Sequence, residues 1–254
     1  MNKQSNKSRV VVISGATGYV GSAITEKLAA DGLKIAALYR ENGSNETAVG
    51  LIAGLAGAGH RSYSCDLEDP ARVEETIRTI EKEQGAIRVC IHAAGTAPKP
   101  KQLHLSSSEE LKEQFGLNVF GSFNFLAACA KRIKEQKEGV IIGITTAAVI
   151  TQVNTRARGA YSPAKFALQG ILAAFREELA PLGVRVYSVA PGVLPGGMNS
   201  ATPQAFLDMF REKSPTKTLA QAADVAAMIS FLCSPESRSL TNLTFLIAPE
   251  SETN

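Results

Sequence analysis

The sequence predicts an α/β protein with a Rossmann-type, doubly wound parallel sheet of about seven strands and helices on both faces. First, short β-branched segments alternate with helix-like segments, an order that gives right-handed β-α-β crossovers and therefore a parallel sheet. Second, the β-branched segments are almost continuously apolar, which is typical of strands buried on both faces. Third, the residues able to carry chemistry follow these segments directly, where such sheets form their ligand sites.

Seven segments have the composition of strands, and they cover residues 9–14, 34–39, 61–65, 89–93, 139–145, 184–190 and 243–247. Helical patterns lie between them, most clearly over residues 20–30, 71–84, 109–137 and 161–180. Residues 192–215 place glycines and prolines around a short amphipathic piece, which is typical of a mobile substrate lid. We therefore expect a flexible segment 1–8, followed by a single dinucleotide-binding catalytic domain, 9–254, that includes this lid.

The composition narrows the class of protein. The chain has 254 residues, 44% hydrophobic and 20% charged, which fits one large soluble domain. A net charge of +3 from 27 basic and 24 acidic residues is too balanced to indicate nucleic acid as the main partner. No signal peptide or membrane-length apolar run is visible, so we expect a cytoplasmic protein without a membrane partner.

The cysteines indicate neither disulfides nor a metal site. Cys65, Cys90, Cys129 and Cys233 form no CxxC pair, and no histidine stands at metal-ligand spacing from them. Cys90 and Cys233 lie in apolar segments and are expected to be core thiols.

The first strand is followed by Ser14-Gly-Ala-Thr-Gly-Tyr-Val-Gly21, which opens a helix. Glycines allow a tight turn and a close approach of helix to sheet, and the free N–H groups of the helix start suit a pyrophosphate. The predicted cofactor-binding residues here are Gly15, Thr17, Gly18, Tyr19, Val20 and Gly21. A plain glycine turn remains the alternative.

The ends of the next strands extend this predicted site. Arg40 stands where an NAD-binding fold usually has an acid, and it can pair with a 2′-phosphate, so NADPH is favoured over NADH. A solvated arginine is the alternative. Asp66 and Leu67 follow the third strand, where the carboxylate can accept a hydrogen bond from the adenine. The fourth strand ends in small residues that let the backbone pass close to the cofactor, namely Ala93, Ala94 and Gly95; His92 before them is expected to be packed.

Tyr161 and Lys165 are four residues apart, so a helix that begins at Tyr161 places both on one face. With these residues the chain resembles the short-chain dehydrogenases/reductases, in the single-domain branch of this length. The resemblance covers nearly the whole chain, and its most specific parts are Tyr161-x-x-x-Lys165, Pro191-Gly192, Asn118 in Leu-Asn-Val-Phe-Gly, and His92-Ala-Ala-Gly95 in place of the usual Asn-Asn-Ala-Gly. Within the family it looks most like 3-oxoacyl-carrier-protein reductases and related polyketide or secondary-metabolite ketoreductases.

The resemblance implies a role for each residue. Tyr161 would protonate a carbonyl oxygen as hydride arrives, and the Lys165 ammonium would lower the tyrosine pKa and hold the nicotinamide ribose. Asn118 would kink its helix and link Lys165 to a water relay. Thr146 would bind the substrate carbonyl in place of the family's serine, although the usual spacing to the tyrosine selects Ala148. Pro191, Gly192 and Val193 would complete the cofactor site.

Two departures from the family pattern affect cofactor and assembly. Tyr19 replaces the middle glycine of most single-domain members and is expected to crowd the pyrophosphate turn. The C-terminal LTFLIAPESETN lacks the usual Val-Asp-Gly-Gly, which weakens the expectation of a homotetramer, while the resemblance still implies a homodimer through residues 109–137 and 161–181. A nucleotide-binding regulatory protein and a non-catalytic partner subunit of a heteromeric reductase remain alternatives.

The substrate is open between a free small carbonyl compound and a carrier-bound acyl chain. The basic residues Lys131, Arg132, Lys134 and Lys137 could meet an acidic carrier protein or simply end a solvated helix. Arg156 and Arg158 are expected at the mouth of the pocket, facing an anionic substrate, a phosphopantetheine or water. The lid supplies a candidate apolar wall, namely Met198, Phe206, Met209 and Phe210, for which core packing is the alternative.

Overall fold

The computed structural model describes residues 9–41, 45–97, 100–151 and 158–248, so the predicted flexible segment 1–8 lies outside the described residues. Seven parallel strands form one sheet in the order β3-β2-β1-β4-β5-β6-β7, which confirms the predicted fold class. The strands are β1 Val10–Ser14, β2 Lys34–Tyr39, β3 Arg61–Ser64, β4 Ile87–His92, β5 Gly139–Ile144, β6 Val184–Pro191 and β7 Thr244–Ile247. Because the order runs outward in both directions from the β1–β4 pair, a crevice opens at the carboxyl ends of these two strands.

Helices flank the sheet within the described residues. They are α1 Tyr19–Ala30, α2 Asn45–Gly54, α3 Pro70–Gln84, α4 Ser108–Phe115, α5 Ser122–Ile133, α6 Ala148–Thr151, α7 Tyr161–Leu179, α8 Gln204–Lys213 and α9 Ala222–Cys233. A π-helical segment, Gly116–Gly121, joins α4 to α5. Among these elements no helix combines the length and the apolar character that crossing a membrane requires.

Two apolar layers cover the two faces of the sheet. Val10 and Val12 of β1 pack with α3, α5 and α7 on one side, whereas Val11 and Ile13 pack with α1, α2 and α9 on the other. This division follows from the period of two in a strand, and it explains why the strand segments are apolar at every position. All four cysteines are buried and free, which confirms the core assignment of Cys90 and Cys233.

Candidate active site

A cavity of about 450 Å³ lies at the carboxyl edge of the sheet. One end, called here the glycine end, is bounded by the turn after β1 and by the ends of β2 and β3. The other, called the tyrosine end, is bounded by the segments that follow β5 and β6. This volume is in the range of small-molecule sites. Its wall contains residues predicted from separate strand ends, among them Gly15, Arg40, Asp66, Thr146 and Tyr161.

The turn at the glycine end depends on the absence of side chains. Gly15 has φ +68°, and a Cβ atom there would lie 2.6 Å from the Ala94 nitrogen. A Cβ atom on Gly21 would lie 1.9 Å from the Gly15 oxygen. Gly18 precedes α1, and no side chain caps that helix. The first N–H groups of α1 are therefore left for an anion, which fits a dinucleotide pyrophosphate.

Tyr19 lies beside this turn, but its ring packs on the lid. A Cβ atom on Gly196 would come within 2.7 Å of the Tyr19 ring, and one on Gly197 would come within 2.7 Å of the Tyr19 Cβ. The Tyr19 side chain is 38% exposed. The ring therefore connects the start of α1 to the segment after β6, a contact that the sequence did not predict.

Arg40 and Asp66 stand beyond the glycine turn, and both are exposed side chains on the cavity wall. Oδ1 of Asp66 accepts a hydrogen bond from the Glu68 nitrogen at 3.0 Å. Within the described ranges, no carboxylate forms an ion pair with the Arg40 guanidinium. This end thus offers one cation and one carboxylate to a nucleotide.

Tyr161 and Lys165 begin α7 and are both buried. Lys165 Nζ donates a hydrogen bond to the Ile144 carbonyl at 3.0 Å and lies 5.8 Å from the centre of the Tyr161 ring. Burial raises the pKa of Tyr161, and the Arg158 guanidinium lowers it. Burial also lowers the pKa of Lys165 to about 8. Burial has the larger effect, so the pKa of Tyr161 lies above that of an ordinary tyrosine, and Arg158 offsets part of this rise. The role of Lys165 in lowering this pKa stays a prediction.

The two threonines after β5 have different surroundings. The Thr145 hydroxyl hydrogen-bonds with that of Ser188 at 2.8 Å. Thr146 is buried on the cavity wall, and in the described part of the chain no protein group hydrogen-bonds with its hydroxyl. Ala148 begins α6 and lies outside the cavity lining. The residue that lines the cavity is therefore the one selected by its position after β5, Thr146, and the one selected by the usual spacing to Tyr161, Ala148, does not line it.

Asn118 lies behind the cavity wall in the π-helical segment, where its side chain is completely buried. Its Nδ2 donates to Thr96 Oγ1 at 2.7 Å, and its Oδ1 accepts from the Thr96 nitrogen at 3.2 Å. A Cβ atom on Gly95 would lie 2.9 Å from Asn118 Oδ1 and 3.4 Å from Lys165 Nζ. The small residue at 95 therefore brings this amide close to the lysine.

His92 is the last residue of β4, one of the two strands that flank the crevice, and its side chain is buried. Its Nδ1 is 2.8 Å from Ser14 Oγ, and its Nε2 is 2.7 Å from Ser122 Oγ. Because the Ser122 hydroxyl donates to the Asn118 carbonyl at 2.8 Å, Nε2 donates to Ser122 and Nδ1 accepts from Ser14. Burial, with a smaller effect of the Lys165 charge, lowers the pKa of His92 to about 3. The neutral ring therefore connects the last residue of β1 to the first residue of α5.

The sequence places the chain in a known family. A family model described as Enoyl-(Acyl carrier protein) reductase matches residues 15–247. The chain belongs to the short-chain dehydrogenases/reductases. Members of this family are NAD(P)-dependent oxidoreductases, so the chain is an enzyme of that class.

Individual relatives of this short-chain dehydrogenase/reductase differ in activity. It is 30% identical over 254 residues to an L-2,3-butanediol dehydrogenase of Corynebacterium glutamicum, covering 94% of this chain and 97% of the relative. It is 28% identical to the 3-oxoacyl-[acyl-carrier-protein] reductase MabA of Mycobacterium avium, covering 90% and 84%. Among solved structures, NAD⁺-bound xylitol dehydrogenase superposes with a TM-score of 0.87 at 22% identity, over 97% of this chain and 100% of the other. ElxO with NADP bound gives 0.87 at 19% identity, over 97% and 100%.

Most of the predicted site residues line this cavity, namely Gly15, Thr17, Gly18, Tyr19, Val20, Gly21, Arg40, Asp66, Leu67, Ala93, Ala94, Gly95, Thr146, Tyr161, Lys165, Pro191 and Gly192. Val193 does not. It is buried in a separate apolar cluster with Leu207, Phe210 and Leu219. Val193 thus packs away from the cavity although Gly192 and Leu194 on either side of it line the wall, and the residue pattern alone did not show this.

The lid supplies less of the wall than its composition indicated. Met198 lines the cavity, whereas Phe206 and Met209 are exposed and Phe210 packs against Phe206 with ring centres 5.0 Å apart. Arg156, predicted at the pocket mouth, lies outside the described residues. Leu194 and Asn199 also line the cavity, and neither was predicted. No residue type marks such positions, because their orientation depends on the path of the lid.

Proposed function

We propose that the protein reduces a ketone to an alcohol with NADPH, with Tyr161 as the acid. The observation that carries the proposal is the convergence in one cavity of the buried Tyr161 and Lys165, the Thr146 hydroxyl and, at the other end, Arg40. A 3-oxoacyl compound or a related polyketide or secondary-metabolite carbonyl is the proposed substrate.

Each side chain is proposed to act on the carbonyl or on its neighbours. A bound nicotinamide would supply the hydride at this site. Thr146 donates a hydrogen bond to the carbonyl oxygen, and Tyr161 donates the proton that converts this oxygen to a hydroxyl. Lys165, fixed by the Ile144 carbonyl, holds the ribose hydroxyls. Asn118 supports Lys165 and the proton relay to solvent.

The preference for NADPH rests on Arg40. A guanidinium at the end of β2 that has no ion-pair partner among the described residues is suited to a 2′-phosphate. Arg40→Gln should therefore weaken NADPH binding by roughly 10-fold and leave NADH binding nearly unchanged. Fluorescence titration with each nucleotide measures this, and equal losses for both nucleotides would contradict the assignment.

The structure gives little support to a carrier protein that binds the basic end of α5 and brings the acyl substrate to the cavity. Arg132 and Lys131 both pair with Glu74, at 2.7 and 3.3 Å. This end of α5 leads into β5, so it lies at the amino edge of the sheet, opposite the cavity. These cations are better explained as an ordinary helix end.

We also propose a homodimer, or a tetramer built from it, through the face formed by α4, α5 and α7. Large apolar side chains remain exposed there, namely Leu111, Phe120, Phe123 and Phe166. Phe123 stacks on Phe175 with ring centres 6.3 Å apart, which joins α5 to α7. Phe123→Asp should lower the mass measured by light scattering, whereas Phe231→Asp on α9 should leave it unchanged.

The proposed reaction is tested by measuring the rate of NADPH oxidation with three substrates: an acetoacetyl thioester, a diketone and an enoyl thioester. The same rates measured with NADH give the cofactor preference. Tyr161→Phe should lower carbonyl turnover by about 10²- to 10⁴-fold while cofactor binding persists. Tyr63→Phe, a half-buried tyrosine on β3, is the matched control. If Tyr161→Phe reduces the ketone as well as the parent, the proposal is wrong. Cofactor binding without turnover of any carbonyl would favour a regulatory protein, and activity only with a co-purified homologue would favour a partner subunit.

A further inference from the structure

Arg158 stands at the tyrosine end of the cavity, three residues before Tyr161. It lines the cavity together with Thr146 and Tyr161, and its side chain is half-buried. Its backbone is held on two sides. The Gly159 nitrogen donates to the Lys101 carbonyl at 2.8 Å, and the Tyr161 nitrogen donates to the Arg158 carbonyl at 3.1 Å. The guanidinium therefore extends from a fixed point of the chain.

The charges around this end are unbalanced. Among the residues that the structure describes, the charged ones on the cavity wall are Arg40, Asp66, Arg158 and Lys165, and the one carboxylate of these four is at the glycine end. Glu110 and Glu113 border a small hollow on the other side of Arg158, but Glu110 pairs with Lys101 at 2.8 Å. In the described ranges no carboxylate lies within ion-pair distance of Arg158. The described part of the tyrosine end thus presents two cations and no anion.

We propose that Arg158 binds an anionic group of the substrate, and that the substrate is accordingly an oxo acid whose carboxylate lies a few bonds from the ketone. This inference rests on the proposed ketone reduction. A guanidinium binds a carboxylate through two parallel N–H···O bonds, which fix orientation as well as position. A carboxylate held there, with the carbonyl oxygen at Thr146 and Tyr161, gives the small substrate two anchor points. The remaining wall at this end is largely apolar, with Ile144, Leu194 and Met198.

The test compares 3-oxobutanoate and 4-oxopentanoate with their methyl esters, which keep the ketone and remove the charge. In the parent protein kcat/KM should be about 10- to 100-fold higher for an acid than for its ester. Arg158→Gln should bring this ratio close to one, chiefly through KM, and Arg158→Lys should recover part of it. The ratio cancels any general effect of the variant on Tyr161. Arg78→Gln, an exposed arginine on α3, is the matched control and should keep the ratio of the parent.

A binding measurement separates this inference from the proposed reaction. Calorimetric titration of 3-hydroxybutanoate into the NADPH complex, where hydride transfer cannot occur, should show at least 10-fold weaker binding to Arg158→Gln than to the parent. This result decides the inference even if no ketone is turned over, in which case the proposed reaction alone fails. Equal acid-to-ester ratios in the parent and Arg158→Gln, or equal binding, would overturn it. A preference for a phosphopantetheine thioester that Arg158→Gln abolishes would also overturn it, because the anion would then be a phosphate.

Discussion

The wall of the cavity is mainly backbone at the glycine end and mainly side chain at the tyrosine end. At the glycine end, the Gly15 turn, the start of α1 and the Ala94 backbone approach one another so closely that no Cβ atom fits. At the tyrosine end, the wall is formed by the side chains of Thr146 and Arg158 from loops, of Tyr161 from the start of α7, and of Met198 from the lid. The first end is therefore constrained by the fold itself, whereas the second can change its chemistry by substitution.

The largest effect should come from adding one carbon at the glycine end. Gly21→Ala places a Cβ atom 1.9 Å from the Gly15 oxygen, so backbone must move, and we expect a loss of at least about 3 kcal/mol of folding free energy together with dinucleotide binding. Gly170→Ala, inside α7 with nothing within 4 Å, should instead stabilise the protein by about 0.5–1 kcal/mol. Denaturant unfolding measures both. If the Gly21→Ala protein folds stably and binds the cofactor, the glycine end is not constrained by the fold in the way described above.

The second largest effect should come from lowering the pH, through His92, which connects Ser14 at the end of β1 to Ser122 at the start of α5. Its pKa is about 3 in the folded protein and near 6.5 in the unfolded chain, so below pH 6.5 the unfolded chain binds a proton that the folded protein does not. Stability is therefore lost as pH falls from about 6.5 to 3, on the order of 3 kcal/mol at pH 4. His92→Asn should remove this part of the pH dependence, while His104→Asn, which is exposed, should keep it. Urea unfolding at several pH values decides between these outcomes.

The contact of Tyr19 with the lid joins the two ends, and its effect should be moderate. Gly196 has φ −140°, so alanine is allowed by the backbone, and the nearest atoms that its Cβ would meet are those of the Tyr19 ring. Gly196→Ala should displace the lid and raise the KM of the ketone by about 3- to 10-fold, roughly 1 kcal/mol of coupling. In a Tyr19→Ala background the same change should have almost no effect. Additive effects of the two substitutions would show that the contact does not couple the ends.

The smallest effect should be on the pH dependence of reduction. Since Arg158 lowers the pKa of Tyr161, Arg158→Gln should raise it. Reduction uses the protonated phenol, so kcat/KM falls as pH rises through this pKa, and in the variant the fall should move to higher pH. A neutral methyl ester as substrate keeps the charge of the ligand out of the measurement. A fall at unchanged pH would show that Arg158 does not act on the phenol.

The same difference between the two ends explains what the sequence could predict. Each strand end bears a short local signal, as with Gly15, Arg40 and Asp66, and a parallel sheet brings these ends together whatever the loops do. Thr146 could be chosen over Ala148 for that reason. Val193 and the lid aromatics could not be placed, because their orientation depends on the path of the chain after β6. The role of Arg158 beside the phenol was likewise missed, since it depends on spatial neighbours that are not adjacent in the sequence.

The four buried cysteines can be used to measure local unfolding in different parts of the protein, without introducing a label by mutation. Cys65 follows the edge strand β3, Cys90 lies in the central strand β4, Cys129 in α5, and Cys233 at the end of α9. A thiol reagent can reach each of them only when its surroundings open, so the four labelling rates report the free energies of four separate openings. Cys65 at the sheet edge should react first and Cys90 last. If ligands bind the cavity as proposed, they should slow the labelling of Cys65, beside Asp66, more than that of Cys233, which lies remote from the cavity.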